Sequence, residues 1–222
     1  MKKRIIFLVG ETGSGKDTIA KELEDFHKVI SYTTRPKRNT DVEGITHYFV
    51  TDEKMDELLK KYKKEDIIAY TNKGGARYFA TRDELKEGNN IYIINPDGIE
   101  WFKKYGPKDI KYLTFYIHLG LEERIERCKD RSDFKEKFYN RVMEESGDFS
   151  EFRLGDDYDF IINNKNSKRS SEVIEGIILT EEMREKVEKI AERKPAKKRT
   201  DIKSVDDLNI IEKNKKLTSR YK

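Results

Sequence analysis

A single cysteine, Cys128, stands among 222 residues, which excludes a disulfide framework and a cysteine-rich zinc site. Apolar residues make up only 35% of the chain, and no run of them approaches the roughly 18–20 that a membrane-spanning helix needs, so no membrane span is expected. The apolar stretch near the start, Ile5 to Val9, is shorter than a signal-peptide core of about 7–15 residues, and glycines follow it instead of a small-residue cleavage site. A cytoplasmic protein is therefore expected. Internal repeats are also lacking. Charge is what the chain has in excess: 41% of residues are ionisable, which leaves a lean core beneath a heavily charged surface. The length suits one α/β domain with an appendage or two small domains.

The net charge of +4 is unevenly placed. Fourteen of the 47 basic and nine of the 43 acidic residues follow Thr180, leaving 33 against 34 in the first 180 residues. The basic balance is thus a property of the tail and says little about what the body binds. In that tail Met183, Val187, Ile190 and Ala191 fall at helical spacing on a charged helix that Pro195 ends. The basic stretch from Lys194 to Lys203 offers at most a weak, salt-sensitive, sequence-blind contact with nucleic acid.

Arg4 to Val9 reads as a strand buried on both faces, followed by a glycine-rich turn and by Ile19, Leu23 and Phe26 at helical spacing. Further strands are expected at Val29 to Ser31, Tyr48 to Val50, Ile91 to Ile94, Leu113 to Ile117 and Phe160 to Ile162. A helix capped by Thr51 or Asp52 carries Met55, Leu58 and Leu59, and two more helices cover Gly120 to Cys128 and Phe134 to Val142. Ile67 to Tyr70 and Arg77 to Ala80 flank the turn Asn72-Lys73-Gly74-Gly75 as a hairpin. Strands alternating with helices predict an α/β fold, a mostly parallel sheet with helices on both faces.

The segment Gly10-Glu11-Thr12-Gly13-Ser14-Gly15-Lys16-Asp17-Thr18 lies between that first strand and an amphipathic helix, the context a phosphate-binding loop requires. Glycines let the backbone wrap phosphate oxygens, the amides converge on them, and Lys16 reaches the β- and γ-phosphates as a point charge. These nine residues are the candidate ATP site. The position after the lysine, usually a magnesium-binding Ser or Thr, is Asp17, so the candidate Mg²⁺ ligand is Asp17 or Thr18.

Ser31-Tyr32-Thr33-Thr34-Arg35-Pro36-Lys37-Arg38, then Glu43-Gly44 and His47-Tyr48-Phe49-Val50, closely resembles the nucleoside-monophosphate segment of guanylate kinases. The likeness covers about residues 4 to 180. It implies that Arg35, Arg38 and Tyr48 bind the acceptor phosphate, with Ser31 near the base and Tyr78 as a second phosphate-binding tyrosine. Guanidinium forks suit phosphate oxygens and hydroxyls complete the cradle. The resemblance further implies lid arginines at Arg131 and Arg141, closing over the donor triphosphate, and an adenine contact at Asn163. Arg124 and Arg127 are expected to be salt-bridged residues of a helix surface. The implied architecture is a P-loop nucleoside-monophosphate-kinase domain over residues 1–180. Within it an acceptor-binding segment covers about 32–83 and a helical lid about 129–155, and a charged extension follows at 181–222.

The resemblance implies ATP-dependent phosphorylation of a GMP- or dGMP-like acceptor, with Mg²⁺. It breaks at the base-reading positions. The glutamate that guanylate kinases carry before the hairpin falls on Ala69, beside Tyr70, and their acidic pair becomes Ile93-Ile94-Asn95-Pro96-Asp97. Asn95 or Asp97 is a candidate replacement for the acids of that pair, and Glu43 and Asn72 are candidates for the lost glutamate. A different or broader set of (deoxy)nucleoside monophosphates is the alternative. The Gly-Lys-Asp-Thr form of the loop agrees with it, being similar to that of some phage-type deoxynucleoside-monophosphate kinases. A non-catalytic guanylate-kinase-like binding module is the reading from another class. The retained Gly15, Lys16 and arginines argue against it.

Overall fold

The computed structural model describes residues 3–38, 41–130, 138–155 and 157–193. Its body is a five-stranded sheet in which every pairing is parallel. The strands are β1 (Arg4–Val9), β2 (His27–Lys28), β7 (Asn89–Ile93), β8 (Lys111–His118) and β9 (Phe160–Asn163), in the order β2-β7-β1-β8-β9. Central β1 is buried along its whole length because it has neighbours on both edges and helices on both faces. Ile6, for instance, is level with Ile91 on one side and Leu113 on the other. Phe7 meets Phe102 edge-on at 4.9 Å, and Tyr116 stacks near Phe149 at 6.2 Å, so one core joins the sheet to two of the helices.

A second sheet stands beside the first in the order β4-β3-β6-β5, built from β3 (Tyr32–Thr33), β4 (Tyr48–Phe49), β5 (Ile67–Lys73) and β6 (Ala76–Thr81). Strands β5 and β6 form the expected hairpin. Gly74 and Gly75 both take positive φ, +58° and +72°, the backbone a tight two-residue connection demands. This sheet packs Met55 of α2 (Asp52–Lys61) on Ile67 and Phe79. Thr51 is the residue that caps α2, its hydroxyl accepting from the Lys54 amide at 3.2 Å.

The remaining helices are α1 (Lys16–Glu22), α3 (Pro96–Tyr105), α4 (Leu121–Cys128), α5 (Tyr139–Leu154) and α6 (Ser167–Arg193). Several expectations are corrected. The second strand lies at His27–Lys28, not Val29 to Ser31, although the Val29 amide still bonds the Ile91 carbonyl. The sequence reading passes over α3 entirely, yet Asn95 caps it, Pro96 opens it, and Ile99 and Phe102 enter the core. Helix α5 runs on to Leu154, where the sequence suggests an end at Val142. Among the described residues no helix is long and apolar enough to cross a membrane.

Contacts divide the chain into units 1–175 and 176–222. The first holds both sheets. The described part of the second is the C-terminal portion of α6, on which Met183, Val187 and Ile190 are exposed. The sequence-based boundary near Thr180 falls inside this helix. Arg131 and the basic stretch from Lys194 onward lie outside the described residues.

Candidate active site

The loop between β1 and α1 is tied down from three directions. Below it, the buried Glu11 carboxylate accepts from the Tyr116 hydroxyl at 3.0 Å and from Arg153 of α5 at 2.9 Å. This side chain therefore anchors the loop and is turned away from any phosphate. Burial pushes the Tyr116 phenol up to about 12, so it stays the donor. Beside the loop, fully buried Asn164 donates to the Ser14 carbonyl at 2.7 Å and accepts from Ser170 at 2.9 Å. From α4, Arg124 donates to the Thr12 carbonyl at 3.2 Å, and Arg127 bonds the Asn164 carbonyl at 2.7 Å. Arg124 and Arg127 are thus part of the loop's support, where the sequence suggests salt-bridged residues of a helix surface.

Lys16 is folded back over the loop, donating to the carbonyls of Gly10 at 2.5 Å and Glu11 at 3.1 Å, with the Ser14 hydroxyl at 3.5 Å. Burial lowers its ammonium pKa, while Asp17, Glu145 and Glu11 oppose that shift. Asp17 and Thr18 sit exposed on the first turn of α1. They are hard oxygen donors of the type magnesium takes together with water and phosphate oxygens. Among the described residues, no cluster of three or more His, Cys, Asp or Glu gathers for a metal.

Gly13 and Gly15 have φ of +85° and +92°, a conformation other residues rarely adopt. At Gly15 an added Cβ would also lie 2.4 Å from the Asn164 side-chain nitrogen. Gly15→Ala is expected to cost about 2 kcal/mol or more, combining left-handed backbone strain with a clash. That corresponds to a melting temperature lower by about 4–8 °C for a domain of this size, measurable by thermal denaturation.

A cavity of about 440 Å³ opens beside the loop. Gly10, Thr12 and Lys16 line it on one side, Ser31, Arg35, Arg38 and Tyr78 on another, and Arg141 on a third. The acceptor segment, the loop and α5 therefore share one space. Arg35 is held at 2.9 Å from Asp41, and the Arg38 amide bonds the same carboxylate at 2.7 Å, so Asp41 shapes the arginine turn. Burial lowers the Arg141 pKa, Glu145 opposes the shift and Arg35 adds to it. Glu145, which the sequence reading passes over, accepts from the Thr12 amide at 2.7 Å and from its hydroxyl at 2.5 Å, placing a carboxylate on the loop.

Beside two of the expected residues, the neighbouring position makes the contact with the cavity or the loop. Tyr48 packs on Tyr32 with ring centroids 4.9 Å apart and is not on the cavity wall, whereas His47 is. Asn163 is exposed, whereas Asn164 touches the loop. In extended chain, neighbours face opposite sides, so either member of such a pair satisfies the sequence pattern. The candidate base readers also move. Glu43 is spent on the Phe49 amide at 3.2 Å, Asn72 is exposed and off the wall, and Asn95 lines the cavity with its side-chain oxygen accepting from Gly98 at 3.0 Å. Asp97 is 3.9 Å from Lys73 and likewise off the wall.

A parallel sheet whose central strand feeds a glycine-rich, lysine-bearing loop, with arginines across a shared cavity, defines a phosphate-loop phosphotransferase. A guanylate kinase family profile matches residues 2–181. Guanylate kinase of Clostridioides difficile is 31% identical over 188 residues, covering 82% of this chain and 90% of the relative. That of Mycoplasma genitalium is 28% identical over 189 residues, covering 80% and 76%. In solved structures, guanylate kinase from Anaplasma phagocytophilum shares the fold, with a TM-score of 0.59 at 21% identity over 82% of this chain and 88% of that one. The chain belongs to the guanylate kinase family and is a nucleoside monophosphate kinase.

Proposed function

We propose that the protein transfers the γ-phosphoryl group of ATP to GMP, giving ADP and GDP. The observation that carries this reading is the shared cavity, lined at once by the lysine-bearing loop and by three arginines of other elements. Such a transfer asks little covalent chemistry of a protein. It asks for donor and acceptor phosphates in line, spread negative charge neutralised, and water kept out. In this proposal the loop amides of residues 10–18 and Lys16 bind the donor phosphates, and Arg141 and Arg131 neutralise the transferring group. Arg35, Arg38, Ser31 and Tyr78 hold the acceptor. Asn164 takes the place given to Asn163 as the asparagine that shapes the donor site, acting through the Ser14 carbonyl. Mg²⁺, held by the triphosphate with Asp17 or Thr18, supplies further charge neutralisation when bound.

The same proposal makes residues 1–180 the kinase domain, with 32–83 closing over the acceptor, 129–155 acting as lid, and 181–222 dispensable for turnover. Its nucleotide substrates support a cytoplasmic site of action. Coupled assay of ADP release is expected to require ATP together with an added acceptor such as GMP. Arg35→Ala is expected to raise the KM for GMP about tenfold to hundredfold, the worth of a charge-assisted phosphate contact of about 1.5–3 kcal/mol. GMP-independent ADP release, or an unchanged KM in that variant, overturns the assignment.

A further inference from the structure

His47 lies on the wall of the shared cavity with Ser31, Arg35, Arg38 and Tyr78 around it. Its Nδ1 is 3.0 Å from the Ser31 hydroxyl, which donates or accepts according to the ring's tautomer. A phosphate dianion beside the ring favours the imidazolium, in which both ring nitrogens donate and the added charge is paired.

Resting on the acceptor-site reading above, we infer that His47 is an acceptor-phosphate ligand that binds as imidazolium, so that the acceptor nucleotide enters with uptake of one proton. The groups around the ring fit a histidine that is neutral in the empty site and charged in the filled one. Arg35 on the following loop and Lys28 on β2 oppose protonation, Asp41 favours it, and burial opposes it most. The rings of Phe49 and Tyr78 stand edge-on with centroids 5.8 Å from that of His47 and add no charge. Tyr92 stays a neutral phenol, since burial raises its pKa and Ser31 only partly offsets this. Arg35 and Arg38 alone would leave the net charge of the cradle fixed. A histidine among them adds a positive charge only when a dianion arrives to stabilise it.

The sign follows from linkage. The filled-site pKa of His47 is raised above the empty-site value, so acceptor affinity is full below the empty-site pKa and is lost as pH rises through the filled-site one. The acceptor phosphate has a second pKa of about 6 and is mostly a dianion above about pH 7, which leaves pH 7.0 to 8.5 as the window in which His47 dominates.

The test compares wild type with His47→Gln, whose amide still hydrogen-bonds Ser31 but does not titrate. In wild type the KM for GMP is expected to rise about fivefold or more from pH 7.0 to 8.5, and in His47→Gln by less than about twofold. Calorimetry of GMP binding at pH 7.5, in buffers of different ionisation enthalpy, is expected to show close to one more proton taken up by wild type. Arg38→Ala separates the two levels of the argument. If it raises the KM for GMP while His47→Gln keeps the wild-type pH slope and proton uptake, the acceptor site stands and the role of His47 is refuted. If Arg38→Ala leaves the KM unchanged, the acceptor-site reading fails and the role of His47 falls with it. Wild-type calorimetry reads proton uptake without a variant, so a poorly folding His47→Gln does not block the test.

Discussion

Replacing Lys16 with alanine is expected to lower kcat by about 10²–10³-fold, the usual loss when one preorganised charge facing a developing anion is removed. Its ammonium now rests on the carbonyls of Gly10 and Glu11, so it is held at the mouth of the loop before any nucleotide arrives. Little reorganisation is then needed at the moment of transfer. The loop does not depend on those two contacts for its shape. Asn164, Arg124 and the Glu11–Arg153 pair hold it from outside, so the variant is expected to fold. Steady-state kinetics should show kcat falling while the KM for GMP shifts by less than about threefold, the pattern of an interaction made mainly in the transition state. Lys16→Arg is expected to recover little, because a planar fork does not fit a pocket shaped for a point charge. Turnover near that of the wild type in Lys16→Ala would remove the donor site from this loop.

What the sequence discloses and what it hides divide along physical lines. The core strand and the loop after it are legible because a continuous apolar run and a glycine-lysine pattern are local signals, complete within about twenty residues. The hairpin is legible for the same reason, its two glycines marking the turn. Helix α3 is missed although Asn95 and Pro96 announce its start. Its buried residues, Gly98, Ile99 and Phe102, are too few in ten residues to declare a period, although Ile99 and Phe102 stand at helical spacing. His47 against Tyr48 is a question of which side of extended chain faces the cavity, and Asn164 against Asn163 of which side meets the loop. Only the pairing of the neighbouring strands answers them. Arg124 and Arg127 read as salt-bridged residues of a helix surface, and Glu145 carries no local signal at all. Arg124 and Glu145 meet a loop more than a hundred residues away in sequence, and no local pattern reports such a contact.

Base choice is expected to be loose, and restoring one carboxylate should tighten it. Guanylate kinases are expected to read guanine with a glutamate in the strand before the hairpin, and here that strand presents the Ala69 methyl to the cavity. Strand β5 otherwise contributes the hydroxyl of Thr71 and the ammonium of Lys73. The described carboxylates on the wall come from α5, and one of them, Asp148, is ion-paired with Lys73. A site that hydrogen-bonds a particular base rejects others by about 10⁴–10⁵, because the wrong base leaves buried polar groups unpaired, whereas shape alone gives about 10² or less. With a methyl at position 69 no such penalty arises there. Values of kcat/KM for GMP, dGMP, AMP, CMP, UMP and dTMP are therefore expected to separate GMP from the least favoured base by about 10² or less. Ala69→Glu is expected to raise the preference for GMP over AMP by about tenfold or more, the worth of one well-placed carboxylate hydrogen bond. A wild-type preference for GMP of 10⁴ or more, unaffected by Ala69→Glu, would mean that some other group on this wall already reads guanine.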